Sequence, residues 1–249
     1  CQILGSDRYG IYYNFGQHVA VLGTLIENVN AEHLLRCYLT HSVISHNIFR
    51  GGHTNKHQLK FVGYFPTGNP ERAPGTATET VEHSIISDNR FENPGAVSWM
   101  ITIGPVDQGK DQRIENLLFE RNFMRAGPNT VAMLYGNNRY VTVRNNVFDG
   151  TGGPAGGVSA VRLAQRGIEP APIGYNVFNN TMYRSDSGDL VGVDINSVAQ
   201  NTQVKNNLVS APNSSVMTGG GQGLIADHNV LSGNPAFTNP AAGDFSLRT

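Results

Sequence analysis

VTVRNNVFDGTG (residues 141–152) carries the pattern that decides the fold: a strand-length aliphatic run, an asparagine, an apolar pair and a glycine-rich turn. The phrase stands upstream as SVISHNIFRGG (42–52), SIISDNRFENPG (84–95) and LLFERNFMRAG (117–127), and returns more loosely as VFNNTMYR, VKNNLVSAP and IADHNVLSG. Its recurring asparagines, Asn47, Asn89, Asn122, Asn146, Asn180, Asn207 and Asn229, are spaced by 42, 33, 24, 34, 27 and 22 residues. A fixed phrase at such intervals marks a repeat architecture, in which each unit stacks on the next to bury a shared core. The short steps fit one coil of a parallel β-solenoid; the long ones fit a coil carrying a loop insertion.

The segments between the anchors are rich in Val, Ile, Phe and Thr and bounded by Gly, Pro, Asn and Asp, as strands are. No stretch sustains helical spacing of apolar residues, which argues against βαβ units. The expected fold is all-β: a right-handed parallel β-helix with loop insertions, its hand following the preference of parallel crossovers. A chain of this length then makes roughly eight to ten coils of about 22–25 residues. Each asparagine is expected at a sharp corner, where it tolerates left-handed backbone, and its amide should bond to the coil stacked on it. Val43, Ile85, Leu117, Val141, Phe49, Phe91 and Phe148 are expected in stacked interior or near-interior columns.

The chain has 249 residues, 15% of them charged, with 29 Gly, 12 Pro and a net charge of −1. This is turn-rich and low in charge, and no basic field calls for nucleic acid. No apolar run reaches the length of a membrane span. A solenoid grows by adding coils, so residues 1–249 read as one elongated domain, beginning mid-coil at CQILGSDRYG. Residues 234–249 lose the period and read as an irregular C-terminal cap. Cys1 and Cys37 are too few for a disulfide framework. Residues 65–80 form the longest insertion, with shorter ones at 105–113, 150–157 and 165–172; insertions in repeats often line the binding face.

Aligning the coils stacks AEHLLRCY (31–38) beneath NKHQLKFV (55–62) at a spacing of 24 residues. Glu32 then meets Lys56, His33 meets His57, and Arg36 meets Lys60. Alternate side chains in a strand share a face. Glu32, Leu34 and Arg36 should point outward with Lys56, Gln58 and Lys60, and His33, Leu35 and Cys37 inward with His57, Leu59 and Phe61. The outward file should continue through Ser98, Met100, Thr102, Met133 and Tyr135 to Arg162 and Asp194. Glu32 and Lys56 make an ordinary ion pair. Arg36 and Lys60 are like charges about 4.8 Å apart, an arrangement that makes sense when an anion such as a carboxylate sits against both. Tyr135 on this file could stack on a sugar or pass a proton, and His53, in the turn GGHTNKH, is an exposed candidate.

The Asn-anchored repeat resembles the parallel β-helix superfamily of pectate lyases and related carbohydrate-active proteins. More narrowly, EHLLR followed by KHQLK is similar in placement to the active coils of alginate lyases of polysaccharide lyase family six. Asn55-Lys56-His57 stands nearest to that family's Asn-Lys-Ser, and Trp99–Gly104 occupies the place of its Arg-His-Gly. The resemblance implies a secreted, periplasmic or cell-surface lyase that cleaves an acidic, uronate-containing polysaccharide by β-elimination. Arg36 would stabilise the uronate carboxylate, and Lys60 or Lys56, its pKa lowered by a cationic neighbour, would be the base. Tyr135, His53 or His57 would protonate the leaving oxygen, and Glu32, Gln58, His53 and Arg162 would bind substrate. Calcium neutralises the carboxylate in many such relatives; here Glu32, Glu27 and Asp88 are scattered, so it is a candidate cofactor only. A C5-epimerase shares the first chemical step. A glycoside hydrolase would need two carboxylates roughly 5–10 Å apart, which Glu32, Asp107, Asp111 and Asp194 do not obviously supply, and a non-catalytic adhesin, phage-tail or glycan-binding solenoid would need none of these groups.

Overall fold

The computed structural model describes residues 1–53, 55–63, 81–92, 94–95, 97–104, 113–166, 171–196, 198–233 and 235–248, with Phe15 described in its backbone alone. The insertion at 65–80 lies outside the described residues, as do Asp107, Asp111 and parts of the insertions at 105–113 and 165–172. The chain is a parallel β-helix. Three sheets run along it: sheet 1 has nine strands, from Gln2–Leu4 to Val230–Leu231, sheet 2 has eight, from Ala20–Leu22 to Ile225–Asp227, and sheet 3 has eight, from Ile11–Gln17 to Asn213–Gly219. Every pairing within them is parallel, and no α-helix occurs among the described residues.

Most strands of sheets 1 and 2 are three residues long and bury their middle residue. Sheet 1 stacks Ile26, Phe49, Phe91, Met124, Phe148, Met182 and Val209, with the Phe49 and Phe91 rings 4.7 Å apart. Sheet 2 stacks Val21, Ile44, Ile86, Phe119, Val143, Val177 and Val204. Leu35, Leu59, Ile101, Leu134, Val161 and Val193 of sheet 3 close the core. Two expected interior residues are one step out of frame: Ile44 and Ile86 fill the core, whereas Val43 is half-buried and Ile85 is 37% exposed. Leu117 and Val141 are buried, but as corner residues ahead of their strands.

The asparagines form one continuous ladder from Asn47 to Asn229. Asn89 Oδ1 accepts from both the backbone N–H and the Nδ2 of Asn47, and Asn122 does the same for Asn89. Each Nδ2 also donates to a backbone carbonyl, as Asn122 does to Ile86. The ladder itself needs no left-handed backbone. The positive φ belongs to the residue before it: His46, Asp88, Arg121, Asn145, Asn179, Asn206 and His228, all at φ 51–57°. The αL corner aims the next side chain inward, and the asparagine saturates the backbone that the corner leaves unpaired.

Cys1 and Cys37 are both free, the first exposed and the second buried. The tail pairs Phe237–Asn239 with Asp244–Leu247 as an antiparallel hairpin. Phe245 packs against Phe123 and Tyr183, so the hairpin lies along the outer face of sheet 1, while Ile225, Val230 and Leu231 of the last coil remain exposed.

Candidate active site

Sheet 3 has the longest strands of the helix, and one outward file runs along it through Tyr12, Arg36, Lys60, Thr102, Tyr135, Arg162, Asp194 and Thr218. Arg36 and Lys60 are direct register partners, as the 24-residue spacing predicts. Glu32 and Lys56 are paired at 3.0 Å. Arg162 reaches Asp194 at 3.3 Å, whose Oδ1 accepts from the Thr218 hydroxyl. The central chemistry is a cluster of cations around one lysine. Lys60 is half-buried, and its pKa is lowered to about 8, first by burial and then by Arg36, Arg166 and Lys56, with Glu32 opposing.

Arg36 is held by tyrosines. Its terminal nitrogens donate to the hydroxyls of Tyr9 (3.1 Å) and Tyr38 (2.7 Å), and its guanidinium lies 5.4 Å from the Tyr12 ring centre and 5.6 Å from that of Tyr38. Burial pulls its pKa down, but the contacts with Tyr38 and Tyr9 outweigh this and the net shift is upward. Arg36 is therefore a fixed cation beside Lys60, with both ends of its fork already engaged.

The histidines correct the expected face. His33 and His57 do not join the apolar core; their rings stack 5.1 Å apart beside the cations, and the stack continues to Trp99 and then Tyr135. Burial, then the neighbouring charges, lowers the pKa of His33 to about 2; burial and Lys60 lower that of His57 to about 3. Both are neutral at pH 7, so the 3.8 Å approach of His33 to Glu32 is not an ion pair. His33 Nδ1 accepts from the His57 backbone N–H. His57 Nδ1 lies 2.6 Å from the Trp99 carbonyl, which can only accept, so the proton of neutral His57 sits on Nδ1. That N–H is taken, and His57 has no proton to offer a leaving group.

Other outward assignments also change. Leu34, Gln58, Met100 and Met133 face the interior. Leu34 and Gln58 lie one residue ahead of their strands, where the chain bends and period-two alternation does not hold, whereas Met100 and Met133 lie inside Trp99–Gly104 and Ala132–Gly136, where consecutive residues are buried. Gln58, 1% exposed, donates to the carbonyls of Gly51 (3.0 Å) and Glu92 (2.6 Å), which makes it a cross-coil brace instead of a substrate contact. Tyr135 is 2% exposed and donates to the Ala164 carbonyl, its ring covered by Trp99 at 4.2 Å. Neither its face nor its proton is offered to the groove. His53 is half-buried, with Nδ1 lacking a hydrogen-bond partner.

Sequence reasoning missed Arg166, Trp99 and the tyrosines around Arg36. Arg166 lies 4.6 Å from the Trp99 ring centre and 5.2 Å from that of Tyr135. Trp99 follows His57 by 42 residues, the same step that separates Asn47 from Asn89, so its place was readable; Tyr38 is two residues from Arg36 on the same strand. Nothing in the sequence marks Arg166. Calcium does not fit this site: the cluster is cationic and its nearby carboxylate, Glu32, is held by Lys56.

No protein-family model matches the chain, and no curated protein matches it in sequence. Among solved structures, an alginate lyase from Paenibacillus sp. str. FPU-7 is similar over 92% of this chain and 91% of that chain, at 11% identity and a TM-score of 0.33.

Proposed function

We propose that the sheet 3 groove cleaves an acidic, uronate-containing polysaccharide by β-elimination, in a protein that works outside the cytoplasm on such polymers. The observation that carries this reading is Lys60. A lysine with a pKa near 8 is available as a base close to neutral pH, and the cations that lower its pKa also attract a polyanionic substrate.

Lys60 Nζ takes the C5 proton of the uronate. The electron pair left on C5 forms the C4=C5 double bond as the C4–O4 bond breaks. The O4 leaving group takes a proton back from the Lys60 ammonium. Returning the proton through the same amine needs no separate acid, which suits a site where His57 and Tyr135 have theirs engaged. Lys56 and Arg166 supply positive charge for the carboxylate whose negative charge grows as C5–H breaks. Arg36 is a positioning residue that sets the pKa of Lys60.

A hydrolase reading finds less support: Glu32 and Asp194 belong to coils five strand spacings apart on sheet 3, roughly 24 Å at the usual strand separation. The test is incubation with alginate, pectate and glucuronan while following the absorbance of unsaturated uronate ends. Wild-type protein should generate them, and Lys60→Ala should abolish them, losing a hundred-fold or more, ~3 kcal/mol of barrier. Retained polymer binding without unsaturated ends in the wild type would leave a glycan-binding solenoid as the better account.

A further inference from the structure

At the corner between sheets 3 and 2, where each coil leaves one sheet for the other, one position always has positive φ. In successive coils it is held by His18, His41, His83, Asn116, Tyr140, Gly174, Asn201 and Gly223. Later coils mostly fill it with Asn or Gly, the residues best suited to that backbone, so the geometry does not demand imidazole. Three consecutive coils nevertheless place one there, and all three are exposed. The rings form a column, His18 to His41 at 5.5 Å and His41 to His83 at 5.2 Å. Glu82 stands beside them, its carboxylate 3.5 Å from His83 Nε2.

We propose that His41, His83 and Glu82 bind a zinc-class divalent metal ion on this corner, with a further position open to water or to His18. One potential ligand atom from each of the three residues lies within 4.8 Å of the other two. Ligands about 2.1 Å from a tetrahedral ion are about 3.4 Å apart, a spacing that small rotations of exposed side chains reach. Two imidazoles and one carboxylate suit zinc and its first-row neighbours, and are poor in oxygen for calcium or magnesium.

The surroundings orient one ligand. Thr40 Oγ1 donates its single hydrogen to the Glu82 carbonyl at 3.0 Å, so toward His41 Nδ1, 3.2 Å away, it can only accept. Neutral His41 therefore carries its proton on Nδ1 and presents the Nε2 lone pair. Metal-binding histidines are commonly fixed in this way by an oxygen acceptor on the other nitrogen. The ion would clamp the coil of Leu35–Thr40 to the coil entered at Val81–Glu82, across the longest step in the asparagine ladder. The corner lies at the far end of the Arg36 strand, so the site is distinct from the catalytic cluster.

The test uses the full chain without a histidine tag, stripped with EDTA and titrated calorimetrically with zinc chloride near pH 7.5. One ion should bind per chain and raise the thermal midpoint. His41→Asn and His83→Asn, which place at the corner the residue that Asn116 and Asn201 already put there, should each weaken binding roughly a hundred-fold and leave the EDTA-state midpoint unchanged. Glu82→Gln should weaken it at least about ten-fold. His46→Asn, the same change at the other αL corner, should bind as the wild type does. The proposal is overturned by the absence of stoichiometric zinc binding, by equal binding in His41→Asn and His83→Asn, or by an equal loss in His46→Asn.

Discussion

In the proposed elimination Lys60 is the residue on which the chemistry turns, and its surroundings would determine the pH at which it works. Burial is the largest cause of its lowered pKa, and Arg36 is the largest charged one. If the amine is the base, activity depends on its deprotonated form, so kcat/KM should climb with pH through a limb near 8. Arg36→Gln removes a positive neighbour that disfavours the ammonium. The limb should move up by up to about one unit while staying below the ordinary lysine value, because burial persists. A pH profile that loses height without moving would make Arg36 merely structural. Much of this site was legible in the sequence. The equal 24-residue spacings of Glu32 to Lys56 and Arg36 to Lys60 gave both pairs, because no insertion interrupts that coil. Gln58 and His57 were assigned to the wrong faces, since they precede the strand Leu59–Val62 and lie on a bend where alternation fails. Arg166 was invisible because it follows Val158–Leu163 into a loop, where register carries no information.

Between coils, the asparagine ladder replaces what a longer strand would do with backbone alone. Its presence was legible because the phrase repeats; its chemistry was only half legible. An inward amide and an αL corner occur together, and sequence alone assigned both to one residue instead of two neighbours. Asn122→Ala should be among the most destabilising single changes. It leaves the buried Asn89 N–H and Nδ2 without their acceptor and removes the side-chain donor to the Ile86 carbonyl. With about 1–3 kcal/mol for each buried group left unpaired, the loss should be about 4 kcal/mol. Asn229→Ala, at the half-buried end of the same ladder, should cost about 1 kcal/mol because water can take its place. Urea denaturation should show the first midpoint fall far more than the second, with unchanged slopes. Comparable losses at the two sites would mean that the ladder is not what ties the coils.

Across the whole molecule, the groups that the fold perturbs tilt stability in one direction from acid pH to about 9, above which the Cys37 thiol and the Tyr175 hydroxyl, both pushed up by burial, tilt it the other way. His33 and His57 are kept neutral in the folded chain, with pKa values near 2 and 3, whereas an unfolded histidine titrates near 6.5. Between these values the unfolded chain binds more protons than the folded one, so stability rises with pH and is lost as pH falls below about 6.5. The partly buried carboxylates act the same way at lower pH: Asp88 is held below its usual range first by its hydrogen bond to Arg121, and Asp186, despite burial, by its contacts with Arg184 and two backbone N–H groups. Each loses its advantage as pH drops through the carboxylate range. At the alkaline end, Lys60 sheds its proton near 8 when folded and near 10.5 when unfolded, so its burial penalty fades across that window and stability again rises with pH. The expected outcome is a thermal midpoint that climbs from pH 4 through neutrality and shows a further, smaller rise between about pH 8 and 9, before the buried Cys37 and Tyr175 oppose it. Lys60→Met should abolish the alkaline rise and leave the acidic limb intact. His57→Gln should flatten the acidic limb, because one of the two groups that the unfolded state protonates is gone. A midpoint that peaks below pH 5, or an acidic limb unchanged by His57→Gln, would show that the stacked imidazoles are not held neutral against the cations of the groove.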